Sequence, residues 1–140
     1  MKFNTGTTMN IKRPIQENIQ RPPHEIKRLR PTPRWSDVTV FNGIAHFVEV
    51  AADTEQDITS QIAQILAQAE STLADIGSDK SQLLSVTIYL TDAKNAAALN
   101  AQWEAWLPVG CAPSRACVVV QLLDPNMLIE IAFVAAATSL

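Results

Sequence analysis

From residue 35 onward, apolar positions recur first every second residue and then every third or fourth, and the succession of the two periods predicts the elements. Val38, Thr39, Val40 and Phe41 form a short β-prone run. Asn42-Gly43 follows, a dipeptide suited to a two-residue hairpin because both positions tolerate positive φ. Residues 44–50 return as the second strand, and the polar stretch 53–57 supplies capping residues. Over residues 57–76, Ile58, Ile62, Ile65, Leu66, Ala69, Leu73 and Ile76 recur at spacings of three and four. This is the stripe of an amphipathic helix, and Gly77 stands where a helix C-terminal glycine belongs. Residues 84–90 read as a third strand. Asp92 can cap a second helix over about residues 93–107, with Ala96, Leu99, Asn100, Trp103 and Trp106 along one side, ended by Pro108 and Gly110. Residues 114–122 and 127–136 are the fourth and fifth strands, separated by a turn at Asp124-Pro125-Asn126.

The order ββαβαββ predicts an α/β (α+β) domain. Strand–helix–strand crossings require parallel pairing and the two hairpins antiparallel pairing, so the sheet is mixed, with both helices able to cover one face. The other face is not closed by this inventory. Strand four is apolar on both parities, with Ala116, Val118, Val120 and Leu122 on one and Cys117 and Val119 on the other. Strand five repeats the pattern, Ile129, Ile131 and Phe133 beside Leu128, Ala132 and Val134. Two helices cannot bury both sides, so the pattern predicts self-association.

Composition narrows the class. With 140 residues and 47% hydrophobic content the chain supports one substantial core. No run of about 18 apolar residues occurs, and the N-terminus lacks the apolar stretch of a secretory signal, so a cytoplasmic protein without membrane association is expected. Cys111 and Cys117 are expected as thiols, since a domain of this size needs no covalent staple. With His24 and His46 they make no zinc-like spacing, so neither a metal nor another cofactor is expected.

The net charge of −3 conceals an asymmetry: eight of the eleven basic residues lie in the first 34 positions against only Glu17 and Glu25, leaving +6 there and −9 in the remainder. Residues 1–34 also hold five of the eight prolines, and they read as a basic Pro-rich extension preceding a domain over 35–140, with Met9 an alternative start. The extension is either an arm solvated or docked on the acidic body, or a contact for RNA, an anionic surface or an import receptor. Its prolines interrupt any basic amphipathic helix, which favours the first. An acidic body argues against general nucleic-acid binding by the domain itself.

Phosphate loops, dinucleotide fingerprints, nucleophile elbows and zincin motifs are absent. What stands out is Arg115, a lone cation in the apolar strand Ser114-Arg115-Ala116-Cys117-Val118. A guanidinium there needs an anion, which is either a carboxylate of the same chain, with Glu130 the obvious candidate, or the carboxylate of a ligand held through two parallel hydrogen bonds. Cys117 lies two positions on, so it points to the same strand face.

The string APSRACVVV, followed fifteen residues after its arginine by the glutamate of IEIAFVA, resembles the signature of the Rid (YjgF) family, and Asn100 in ALNAQWEAWL matches the asparagine of that family's N-x-x-[YW]-x-x-[FW] helix. The similarity spans residues 35–136. It implies a chorismate-mutase-like fold, a homotrimer and ligand sites in clefts between subunits. It further implies hydrolysis of reactive enamine or imine intermediates to 2-oxo acids and ammonia, with a non-catalytic carboxylate-binding or regulatory protein as the alternative and an RNA-directed activity as a third. By the same resemblance Arg115 holds the substrate carboxylate, Cys117 and Glu130 line the pocket, and Glu130 can orient the attacking water. Asn100, also placed at the substrate site, is a helix-to-loop hydrogen-bond anchor rather than a catalyst. The sequence departs from the pattern in the opposite wall. Trp35 stands where a tyrosine is usual, in an RWSD opening shared with less characterised subgroups, and Val48-Glu49-Val50 replaces Ser-Gly-Gln. Glu49 at the glycine position adds bulk and charge, and two outcomes follow: it lines the pocket, or it pairs with Arg115 and blocks it.

Overall fold

Asn42 and Gly43 turn the chain at φ of 51° and 73°, and around them the sheet of this computed structural model, which describes residues 25–138, is assembled. They join β2 (Ser36–Phe41) to β3 (Ile44–Val50) in antiparallel register, Val40 opposite Ala45 and Val38 opposite Phe47. Upstream lies a strand absent from the sequence reading, β1 (Lys27–Pro31), paired antiparallel with β2 inside the segment expected as an extension. It escapes a periodicity search because it is an edge strand in which only Leu29 is even half-buried. Downstream come α1 (Ile58–Asp75), β4 (Leu83–Leu90), α2 (Ala96–Trp106), β5 (Ser114–Val119) and β6 (Ile129–Ala136). The order across the sheet is β1-β2-β3-β6-β4-β5, with only the β4–β5 pair parallel. It is a mixed sheet as expected, enlarged by one strand, but the second expected hairpin does not form: β5 and β6 lie on either side of β4, and β6 pairs instead with β3 and β4.

Each helix is bounded as its sequence specifies. Asp57 caps α1 by accepting from the Ser60 N–H at 2.9 Å. At the other end Gly77 takes φ 66°, its N–H bonding Ala74 O and that of Ser78 bonding Leu73 O, the paired closure that a left-handed residue allows. Asp92 caps as anticipated, but it starts a 3-10 turn (Ala93–Asn95) from which α2 continues. The fourth strand ends at Val119, three residues earlier than its apolar run.

The core lies between the helices and one face of the sheet. Val38, Phe47, Val86, Ile88, Ile131 and Phe133 are buried on the sheet side against Ile62, Ile65, Leu73 and Leu99 from the helices. Phe47 and Phe133 stack with ring centroids 4.9 Å apart. The opposite face is incompletely covered: Val48 is exposed and Ala132 and Val134 half-buried. β5, an edge strand apolar from Ala116 to Val119, is exposed at every position, Val119 to 60%.

One polar side chain is buried with this core. Gln61, on the apolar stripe of α1, is fully inaccessible. Its Nε2 donates to the carbonyls of Thr54, Gln56 and Asn126 at 3.2, 3.0 and 3.0 Å, and its Oε1 accepts from the Leu128 N–H at 3.0 Å. One amide thereby satisfies backbone groups of the segment before α1 and of the loop before β6, groups that would otherwise be costly to bury.

Candidate functional site

The residues singled out by sequence fall into two groups at different places on the sheet. Arg115 pairs with Val86 and Cys117 with Ile88, both buried beneath the helices, so Arg115 and Cys117 emerge on the helix side of the β5 edge. Arg115 is exposed there, and its Nη2 donates to Asn100 Oδ1 at 2.7 Å. Asn100 is delivered by the middle of α2, the crossover between the two parallel strands, and its amide fixes the guanidinium from one side, so that it ties the helix to a strand side chain rather than to a loop as expected. Among the described residues no carboxylate lies within ion-pairing distance of Arg115. Cys117 is exposed and Cys111 half-buried, and both are free thiols.

The same-chain partner considered for Arg115 is ruled out by register. Glu130 pairs with Tyr89 and Val50, residues of the alternate parity, and therefore stands on the open face of the sheet while Arg115 stands on the helix side. Glu49 does not block Arg115 within the chain either, because β6 and β4 lie between β3 and β5. Its carboxylate is turned to α1, where Thr72 Oγ1 donates at 3.1 Å and Gln68 Nε2 at 3.4 Å.

The second group surrounds a concavity of about 1050 Å3. Trp35, Val48, Glu49 and Glu130 all line it, together with Arg30, His46, Thr72 and the segment 121–124, whereas Arg115, Cys117 and Asn100 do not. Trp35 is held out at its rim, 60% exposed, by a tight turn between β1 and β2. Thr32 organises that turn: its N–H and Oγ1 both donate to Trp35 O, at 2.6 and 2.9 Å, and its Oγ1 accepts from the N–H of Arg34 and of Trp35. Arg30 sits just before it in the left-handed region, φ 46°, with Nε on Asp37 Oδ2 at 2.7 Å and Nη2 3.9 Å from Asp75. Partial burial raises the Glu49 carboxyl above its ordinary value, against the opposing hydrogen bonds from Thr72 and Gln68.

Thr32 and Gln61 were not anticipated. A threonine three residues before an aromatic in a proline-rich turn is a weak signal, but Gln61 left a better one, a polar residue between Ile58 and Ile62 on an otherwise apolar helix stripe.

The fold and site define a class: a mixed six-stranded sheet covered on one side by two helices, with an exposed arginine on an edge strand and a concavity elsewhere. A model of the family described as endoribonuclease L-PSP matches residues 25–137. The RutC family protein YoaB of Escherichia coli K12 is 39% identical over 111 residues, 79% of this chain and 97% of its own. Among solved structures, a Pseudomonas aeruginosa protein aligns with a TM-score of 0.79 at 36% identity, covering 81% of this chain and all of the other. NMB1025 of Neisseria meningitidis, a member of the YjgF family, aligns at 0.77 and 34% identity, covering 82% of this chain and 97% of the other. The chain belongs to this family, the YjgF, RutC or Rid proteins. Among the described residues no helix is long and apolar enough to cross a membrane.

Proposed function

We propose that the protein hydrolyses reactive 2-imino and enamine acids to 2-oxo acids and ammonia, in clefts formed between copies of a cytoplasmic homotrimer. The observation that carries this reading is Arg115, an exposed guanidinium oriented by Asn100 with no carboxylate partner among the described residues. A planar fork in that state is suited to a ligand carboxylate. Its separation from Trp35, Val48, Glu49 and Glu130 supports a shared site, in which one copy contributes the clamp and its neighbour the opposite wall. The exposed apolar edge of β5 and the uncovered sheet face give the copies surfaces to bury.

In this site Arg115 holds the carboxylate and thereby the adjacent iminium carbon. Water attacks that carbon, forming a C–O bond as the C=N π pair moves to nitrogen. A proton passes from the added oxygen to nitrogen, an oxygen lone pair forms the C=O bond as the C–N bond breaks and ammonia leaves, and the remaining hydroxyl proton passes to water, giving the 2-oxo acid. The iminium is already a strong electrophile, so binding and one oriented water supply most of what is needed. Glu130 orients that water and relays its proton. Cys117 is a small wall residue.

The test is hydrolysis of an imino acid generated in situ by an amino-acid oxidase. The wild-type protein should accelerate it and Arg115→Ala should not; equal rates for the two would exclude this role for Arg115. Val48 and Glu49, standing where the deaminases carry serine and glycine, favour a second reading, a non-catalytic carboxylate-binding protein. Saturable 2-oxo acid binding without any acceleration would establish that reading instead.

A further inference from the structure

The open face of the sheet carries a phenol, and register sets it beside the carboxylate that the proposed hydrolysis uses. β6 runs between β3 and β4, so Glu130 has two direct cross-strand neighbours, Val50 on β3 and Tyr89 on β4. Residues paired in this way share a face and hold their Cβ atoms about 5 Å apart. Ile88 and Leu90 are buried beneath the helices, so Tyr89 points the other way, as Glu130 does between the buried Ile129 and Ile131. The adjoining positions on this face are apolar: Ala132 two residues along β6, and Val118 on β5 opposite Tyr89. Tyr89 is the one tyrosine of the chain, and it and Glu130 are both half-buried. Among the described residues no hydrogen bond or ion pair engages either side chain. The two groups are complementary toward water, since an ionised carboxylate only accepts and a phenol donates. A water held by the carboxylate alone turns about a single hydrogen bond. One that also accepts from the phenol keeps a single lone pair free, with a fixed direction.

We infer that Tyr89 is a second holder of the attacking water, donating its phenol O–H to the water oxygen while Glu130 accepts one of the water's hydrogens. The inference rests on the reading that Glu130 orients water for attack on an imino acid. Tyr89 keeps its proton throughout. The water's free lone pair forms the C–O bond, its proton passes to Glu130 and from there to the departing nitrogen, and the phenol stays on the oxygen that becomes the 2-oxo group.

The experiment compares the full chain with Tyr89→Phe, which keeps the ring and removes the hydroxyl, in steady-state hydrolysis of an imino acid generated in situ. In the variant kcat should fall about tenfold, the scale of one lost hydrogen bond, with KM unchanged because Arg115 still holds the carboxylate. Sedimentation of both proteins shows whether assembly is the same, which separates a lost hydroxyl from a lost contact between copies. Equal kcat values, or a change in KM alone, would overturn the role of Tyr89 and leave the Arg115 and Glu130 readings standing. Absence of hydrolysis by the wild type would overturn both. A second measurement uses the single tyrosine as a probe: fluorotyrosine incorporation gives one fluorine NMR signal. That signal should move saturably as 2-oxobutanoate is added and stay fixed in Arg115→Ala. A signal unmoved in the otherwise wild-type chain at saturating 2-oxo acid would place the phenol away from the reacting oxygen and overturn the inference.

Discussion

Arg115 and Asn100 are joined by a 2.7 Å hydrogen bond from Nη2 to Oδ1, linking β5 to the helix that crosses over to it. The amide oxygen holds one edge of the guanidinium, and under the proposed function its other donors take the ligand carboxylate. Asn100→Leu should therefore weaken 2-oxo acid binding about tenfold, the scale of one lost orienting hydrogen bond to a charged group, with little change in thermal midpoint. Arg115→Lys should lose more, because an ammonium offers no fork to a carboxylate. Titration of both variants beside the wild type checks the order.

Gln61 predicts a stability effect remote from the clamp. Gln61→Leu fills the same space but leaves three carbonyls and the Leu128 N–H without this partner. The expected loss is about 2–4 kcal/mol by urea unfolding, larger than a surface change would give. The loop before β6 borders the concavity, so its amides should also exchange faster in the variant. A variant as stable as wild type would show that the amide is dispensable.

Glu49 makes the fold pH-sensitive in an unusual sense for a carboxylate. Its folded-state value lies above the ordinary 4.5 because partial burial disfavours the charge. The folded state then holds this proton more tightly than the unfolded state, so the contribution is fully present below pH 4.5 and is lost as pH rises through the folded value. Glu49→Gln should remove that dependence. The difference in thermal midpoint between variant and wild type should grow in favour of the variant from acid toward neutral pH, and a constant difference would contradict the burial argument.

Gly43 should tolerate a methyl group in space but not in conformation. A Cβ there would stand 3.6 Å from Ala137 O, an ordinary contact, whereas φ of 73° disfavours any L side chain. Gly43→Ala should cost about 1 kcal/mol from this alone, measurable by denaturant midpoint.

Val119 tests the proposed assembly. It is 60% exposed on an apolar edge strand, and Val119→Lys should shift the protein toward monomer in sedimentation, because burying an unpaired ammonium at an interface is unfavourable. Unchanged oligomeric state would remove this edge from the contact.

How much of this was legible beforehand depends on what each feature is made of. Both helices were readable because each stripe of apolar residues faces the same sheet, and the hairpin because Asn42-Gly43 names its own turn. β1 was hidden, since a basic edge strand with one half-buried leucine has no alternation to detect. Arg115 stood out as the one cation in an apolar strand. Its distance from Glu130 did not, because the two sit on strands separated by β4, and their faces follow from pairings that neither strand encodes alone. Glu49 was conspicuous as a substitution, yet its hold by Thr72 and Gln68 depends on how α1 crosses β3.

The division of the site between two regions of one sheet has a kinetic corollary. Under the proposed assembly, a dilute solution contains only clamps and walls, each inert alone. Specific activity would then climb with protein concentration until copies pair, and level off once every β5 edge is covered. Mixing Arg115→Ala with a variant damaged only in the opposite wall would restore a share of intact clefts, so two silent preparations would become active on combination.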